Sequence, residues 1–203
     1  MIIIAKLIVI VMIKKEIVIN SEKNLDKFYK KVKFYKSIVY KFTFFYSDND
    51  EIGDIIEALN IKNRYKRISF IYDNVCSIID SYVANKNFCG FKNHKCLTQQ
   101  KEGCKYKNGC CRRCLYQSNK GCTTSNLTCK FFYCEKVKQK HKILTMDDIK
   151  ILRCFSCRQR EIVRHDYFSS REEVISDLYV GSLIIFTIRI IFRNMKRIIK
   201  LNK

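Results

Sequence analysis

The 203-residue chain predicts a mainly α protein, with amphipathic helices set around an irregular cysteine-rich metal-binding module. It becomes α+β if residues 25–46 pair as strands. Three observations lead there. Apolar residues recur at helical spacing over 48–60, 66–84, 146–164 and about 171–192. No proline interrupts any of these stretches. Nine of the twelve cysteines fall between Cys89 and Cys134, in one block rather than spread along the fold as staples. The chain therefore divides into an N-terminal scaffold (1–88), a cysteine module (89–134) and a C-terminal helical region with a basic, apolar tail (135–203).

Residues 2–13, IIIAKLIVIVMI, are apolar apart from Lys6. A secretory signal puts charge before such a run and small residues after it, whereas Lys14 and Lys15 follow this one. The run is also shorter than the ~20 residues that span a bilayer. It reads as a buried strand or core helix, with an uncleaved membrane anchor as the alternative, and Met12 offers a second start. Residues 23–46 alternate lysine with aromatic and β-branched residues, which favours strands with solvated lysines. Ser47 opens S-D-N-D, a capping pattern, and Ile52, Ile55, Ile56 and Leu59 follow at helical spacing. After Asn60, a second helix is marked by Ile68, Ile71, Tyr72, Val75, Ile79, Tyr82 and Val83. Cys76 sits inside it as a small hydrophobe.

The module begins with Cys89-x6-Cys96, and Cys104-x5-Cys110, Cys111-x2-Cys114, Cys114-x7-Cys122, Cys122-x6-Cys129 and Cys129-x4-Cys134 follow. Thiolates at such intervals suit tetrahedral metal centres, because a tight turn aims two of them at one ion. Four of the six glycines adjoin these cysteines, in the repeats KEGC, KNGC and NKGC and at Cys89-Gly90. His94, two residues before Cys96, is a further candidate ligand. The adjacent pair Cys110 and Cys111 strains the geometry of a single site, so one of them serves a second ion or stays free. Zinc in structural thiolate sites and an iron–sulfur cluster both fit. Disulfides are the third reading, and they need an oxidising compartment that no other feature signals.

The run CCRRC, followed by GC and then TCKFFYC, resembles a zinc- or iron-chelating cysteine-cluster family of bacteria. The matching positions are Cys104, Cys110, Cys111, Cys114, Cys122, Cys129 and Cys134, about a fifth of the chain. The Arg-Pro step usual in that family has no counterpart here, because the chain lacks proline. The resemblance implies metal chelation and brings no settled reaction with it.

In the C-terminal region Thr145-Met-Asp-Asp reads as a helix start, and Ile149, Leu152, Phe155, Ile162 and Val163 as its buried stripe. Cys154 and Cys157, three apart, share a face of that helix and are further candidate metal ligands. His165-Asp166 reads as a surface turn. Ser169 and Ser170 each stand three residues before a glutamate, so both fit a capping box. The tail, SLIIFTIRIIFRNMKRIIKLNK, carries Arg189 and Arg193 inside an apolar pattern. That makes it a poor spanning helix, but one able to lie on an anionic membrane or to pack on the core.

The formal charge of +21 fits an anionic partner, either nucleic acid or a membrane surface. Within 89–134 it has a local use as well. Nine ionised thiolates around two divalent ions leave five negative charges, set among nine basic residues and the single acid Glu102. No nucleotide-binding glycine fingerprint, H-E-x-x-H or G-x-S-x-G occurs, so no nucleotide cofactor and no recognised catalytic motif is expected. The reading is a cytoplasmic metal-binding protein, structural, sensing or electron-carrying, with membrane association through the apolar termini as an option. A zinc-stabilised nucleic-acid-binding regulator and an iron–sulfur enzyme are the alternatives.

Overall fold

The computed structural model describes residues 15–19, 21–35, 40–44, 50–84, 86, 88–92, 95–96, 117–118, 121–122 and 124–201. The apolar run 2–13 and the Ser47 cap lie outside these residues. The described chain is mainly helical. It opens with a β–α–β unit, in which β1 (Lys15–Ile19) pairs in parallel with β2 (Tyr40–Phe44), with Ile17 opposite Phe42, and α1 (Glu22–Tyr35) makes the crossover.

That helix corrects the expectation of strands over 23–46. Leu25, Phe28, Tyr29 and Val32 stand at i, i+3, i+4 and i+7. This stripe buries Phe28, Tyr29 and Val32 and outweighs the partial period-two pattern. Ser21 starts the helix, its Oγ accepting from Asn24 N at 3.4 Å. Among the described residues of that stretch, 40–44 keeps the expected extended form.

Helices α2 (Asp50–Asn60) and α3 (Arg64–Ala84) fall where their periodicity placed them. Asn63 begins α3 by accepting from Lys66 N at 3.0 Å. The inward face of α3 (Ile68, Ile71, Tyr72, Val75, Ile79) is the spine of the main core, with Ile52 and Ile55 of α2 against it.

The predicted helix over 146–164 is two pieces. Thr145 donates through N and Oγ1 to Asp148 Oδ2 (2.8 and 2.6 Å), closing a polar turn where the helix was expected to begin. A 3-10 turn follows at Lys150–Cys154, and the chain is extended at Phe155 and Ser156. Ser156 then caps α6 (Cys157–His165) in a capping box. Its Oγ accepts from Gln159 N, and Gln159 Oε1 accepts from Ser156 N at 2.9 Å. Before it come two short helices, α4 (Leu127–Lys130) and α5 (Glu135–Lys140).

Of the two boxes offered at 169–173, the structure uses Ser170 with Glu173 to begin α7 (Arg171–Val180). The expected single helix over 171–192 is also divided. Gly181 takes the left-handed conformation at φ 66° and donates its N–H to Asp177 O at 2.8 Å, and α8 (Leu183–Leu201) starts afresh. No helix among the described residues is long and apolar enough to cross a membrane.

Candidate metal centre

The two edges of the cysteine module meet. Cys89 follows the end of α3, and Cys134 is the residue before α5. Both pack half-buried against a small satellite core of Phe88, Tyr133 and Val137. Phe88 and Tyr133 stack edge to face at 5.7 Å. Tyr82, in the last turn of α3, donates its OH to Lys142 O at 2.8 Å and closes the same corner. The Tyr133 hydroxyl is pushed up to about 12, by burial first and by the adjacent Cys89 sulfur second. Cys89 and Cys134, the first and last cysteines of the block, thus stand at a neck made by one packed aromatic cluster.

Between Cys89 and Cys134, β3 (Phe91–Lys92) and β4 (Lys95–Cys96) form a two-residue antiparallel ladder, as do β5 (Gln117–Ser118) and β6 (Gly121–Cys122). Cys96 stands opposite Phe91, and Cys122 opposite Gln117. Gly90, directly after Cys89, has φ 55°, so the turn into the first hairpin uses the freedom of glycine. His94, Cys104, Cys110, Cys111 and Cys114 lie outside the described residues. Among the described residues, no three His, Cys, Asp or Glu side chains gather as a set of metal ligands would.

Cys129 points away from the neck. It lies in α4, and its sulfur accepts from Phe168 N at 3.4 Å. The segment leading to it is sewn into the main core. Tyr72 OH donates to Ser125 O (2.8 Å) and accepts from Leu127 N (3.0 Å), and Thr128 Oγ1 donates to Val163 O. Asn126, 1% exposed, accepts from Cys129 N at 2.9 Å. It also donates to Asp166 O at 2.7 Å and to Ser169 O at 3.1 Å. The C-terminal edge of the module therefore stands on a rigid platform.

Cys154 and Cys157 do not share a helix face as expected, because the Ser156 cap separates them. Cys154 is buried in the 3-10 turn beside Arg67 and Ile68, in the first half of α3. Cys89 follows the other end of that helix, ~25 Å further along the axis at 1.5 Å per residue. Cys157 is exposed and faces a different hollow of about 280 Å³, with Tyr29 and Arg160. Cys76 is half-buried against Ser125 O, and burial pushes its thiol up to about 12, as suits packing rather than ligation.

The sequence reading also missed a polar cluster behind this platform. Asp166, expected on a surface turn, is fully buried. Its Oδ1 accepts from Ser169 Oγ and faces Arg193 Nη1 at 3.5 Å, and its Oδ2 has no hydrogen bond. Asp177, also buried, pairs with Arg189 at 2.7 Å and with Arg193 Nη2. Gln159 Nε2 reaches Leu178 O at 2.9 Å. The S-x-x-Q at Ser156 was a readable signal for the capping part. Nothing in the sequence marked Asp166 as interior.

Burial pushes the Asp166 carboxyl up to about 6, against the pull of the Ser169 hydroxyl and Arg193, with Asp177 and Glu173 adding to the rise. In the unfolded chain this group titrates near 4. Between those values the folded state takes up a proton that the unfolded state does not. The contribution of Asp166 to stability therefore grows as pH falls from about 7 to about 4, and is lost as pH rises through 6. Urea midpoints of the wild type and Asp166→Asn should show this, with the wild type gaining on the variant at about pH 5 relative to about pH 7.5. A difference that stays flat contradicts the shift.

No family model matches this chain, and neither a curated protein nor a solved structure matches it.

Proposed function

We propose that residues 89–134 form a thiolate metal-binding module, carrying zinc or an iron–sulfur cluster, on an otherwise helical scaffold. The observation that carries this reading is the neck, where Cys89 and Cys134, the first and last cysteines of the block, pack on one aromatic cluster. The sequence between these two cysteines is poorly equipped to fold by burial alone. Between Phe91 and Asn126 the only aliphatic residues are Leu97 and Leu115, in a chain that is 47% hydrophobic overall. A segment this poor in apolar side chains needs a metal or crosslinks to take one shape. The basic residues of the module favour ionised thiols, and so metal binding. The resemblance to a zinc- or iron-chelating family supports the same reading.

The ligands are drawn from Cys89, Cys96, Cys104, Cys110, Cys111, Cys114, Cys122, Cys129 and Cys134, with His94 as a further donor. Zinc would act here as a structural crosslink, and a cluster would serve sensing or electron transfer. Anaerobic purification with elemental analysis and a visible spectrum separates these options. Colourless protein with stoichiometric zinc supports the structural site, and brown protein with iron and sulfide supports the cluster. Protein with neither metal and no free thiols overturns the proposal in favour of disulfides. Changing Cys111 and Cys114 together to serine should lower metal content, since C-x2-C supplies two ligands to one ion. Unchanged metal content removes these two from the ligand set.

A further inference from the structure

Helix α8 is mounted with its polarity reversed. Ile184, Ile188, Ile191, Phe192, Met195 and Ile198 are each more than half exposed. They fall on one broad face at four- and three-residue steps. The cationic side points inward, where Arg189 and Arg193 engage the buried carboxylates of Asp177 and Asp166. The Arg197 guanidinium sits 3.5 Å over the Phe168 ring, and Phe186 is the buried apolar contact. Rolling the helix to hide its apolar face would strip both buried aspartates of their cations. The ion pairs hold the apolar face outward.

We propose that this face is a docking surface for an anionic lipid bilayer, with α8 lying in the plane of the headgroups. Three observations select that occupant. The helix does not meet the length and hydropathy that crossing a membrane requires, so it lies on the surface instead. Besides the three arginines that face the protein, the tail carries Lys196, Lys200 and Lys203 and no acid, and the chain carries +21, which complements anionic headgroups. A second copy of α8 would meet it with the same charge and no acidic residue to pair with. Lys196, one turn after Phe192, is exposed at the border of the apolar face, where a long cationic side chain reaches a phosphate while its stem stays apolar. Apolar insertion and electrostatic attraction together give the two signals that stable surface attachment needs.

Co-sedimentation of the full chain with vesicles tests this. The protein should pellet with phosphatidylcholine vesicles containing phosphatidylglycerol, much less with phosphatidylcholine alone, and less again as salt is raised. The double variant Ile191→Ser/Phe192→Ser should lower partitioning by about tenfold or more, since two large apolar side chains no longer insert. Its thermal melt should match the wild type, because both side chains already face solvent. Wild-type protein that stays in the supernatant overturns the proposal. Sedimentation velocity then shows whether the face instead pairs two copies, as a dimer that the double variant loses. Vesicle binding that the double variant leaves intact also overturns it, because attachment then lies elsewhere.

Discussion

Replacing Arg193 with methionine should destabilise the fold by about 3–5 kcal/mol, the usual cost of leaving a buried charge without its partner. Arg193 is the hub of the cluster. It reaches Asp177 with Nη2 and, with Nη1, both Ser169 Oγ at 2.6 Å and Asp166. Methionine keeps much of the stem and removes only the charge and the donors. Arg189 still holds one oxygen of Asp177, so the larger share of the loss belongs to Asp166. Two results would identify the cause. The urea midpoint of Arg193→Met should recover as pH falls, beginning above about 6 because Arg193 no longer pulls the Asp166 carboxyl down, as the orphaned carboxylate takes up a proton and no longer needs a cation. The double variant Arg193→Met/Asp166→Asn should be more stable at neutral pH than Arg193→Met alone, the signature of coupled neighbours. A loss below about 1 kcal/mol would mean that α8 is held by Phe186 packing and not by the ion pairs.

What the sequence disclosed and what it hid separate along physical lines. Helices α2 and α3 were legible because their apolar residues repeat over whole turns and nothing interrupts them. Helix α1 was hidden by its composition. Its lysines and aromatics, as in KFYKKVKFY, satisfy two periods at once. The choice fell to the three-dimensional fit of Phe28, Tyr29 and Val32 against the core. The two divided helices were misjudged for a different reason. The apolar stripe runs on past Ser156 and past Gly181, while the backbone is turned by one capping side chain in the first case and one positive φ in the second. Stripe periodicity measures burial and does not measure continuity. Asp166 was illegible because a buried carboxylate is made tolerable by Arg193 and Ser169, one of them 27 residues away. That Cys89 and Cys134 pack on one satellite cluster was not legible in their spacing, because Phe88, Tyr133 and Val137 are ordinary apolar residues until folding brings them together.

Replacing Asn126 with alanine should cost about 3 kcal/mol or more, and the loss should be felt in two places. Asn126 ties the cysteine module to the turn under α8 through two buried hydrogen bonds, beside the contact of Cys129 Sγ with Phe168 N. Through Oδ1 it caps α4 at Cys129 N, and through Nδ2 it satisfies the carbonyls of Asp166 and Ser169. The cap alone is worth ~1 kcal/mol. Each buried carbonyl left without a donor adds on the order of 1 kcal/mol or more. Asn126 is 1% exposed, so water cannot readily replace the lost donors. Aspartate separates the two roles. Asn126→Asp keeps an acceptor for Cys129 N but turns an oxygen toward two carbonyls, so it should be at least as damaging as alanine despite preserving the cap. If Asn126→Asp were instead close to wild type, the cap would carry the effect and the strap to Asp166 and Ser169 would not. Hydrogen exchange locates the loss. Amides of α4 and of the turn at 166–169 should lose protection together in Asn126→Ala, while those of α2 keep theirs. Joint loss would show that the Cys129 edge of the module and the base of α8 share a support, so that a disturbance at either reaches the other through the buried Asn126 amide.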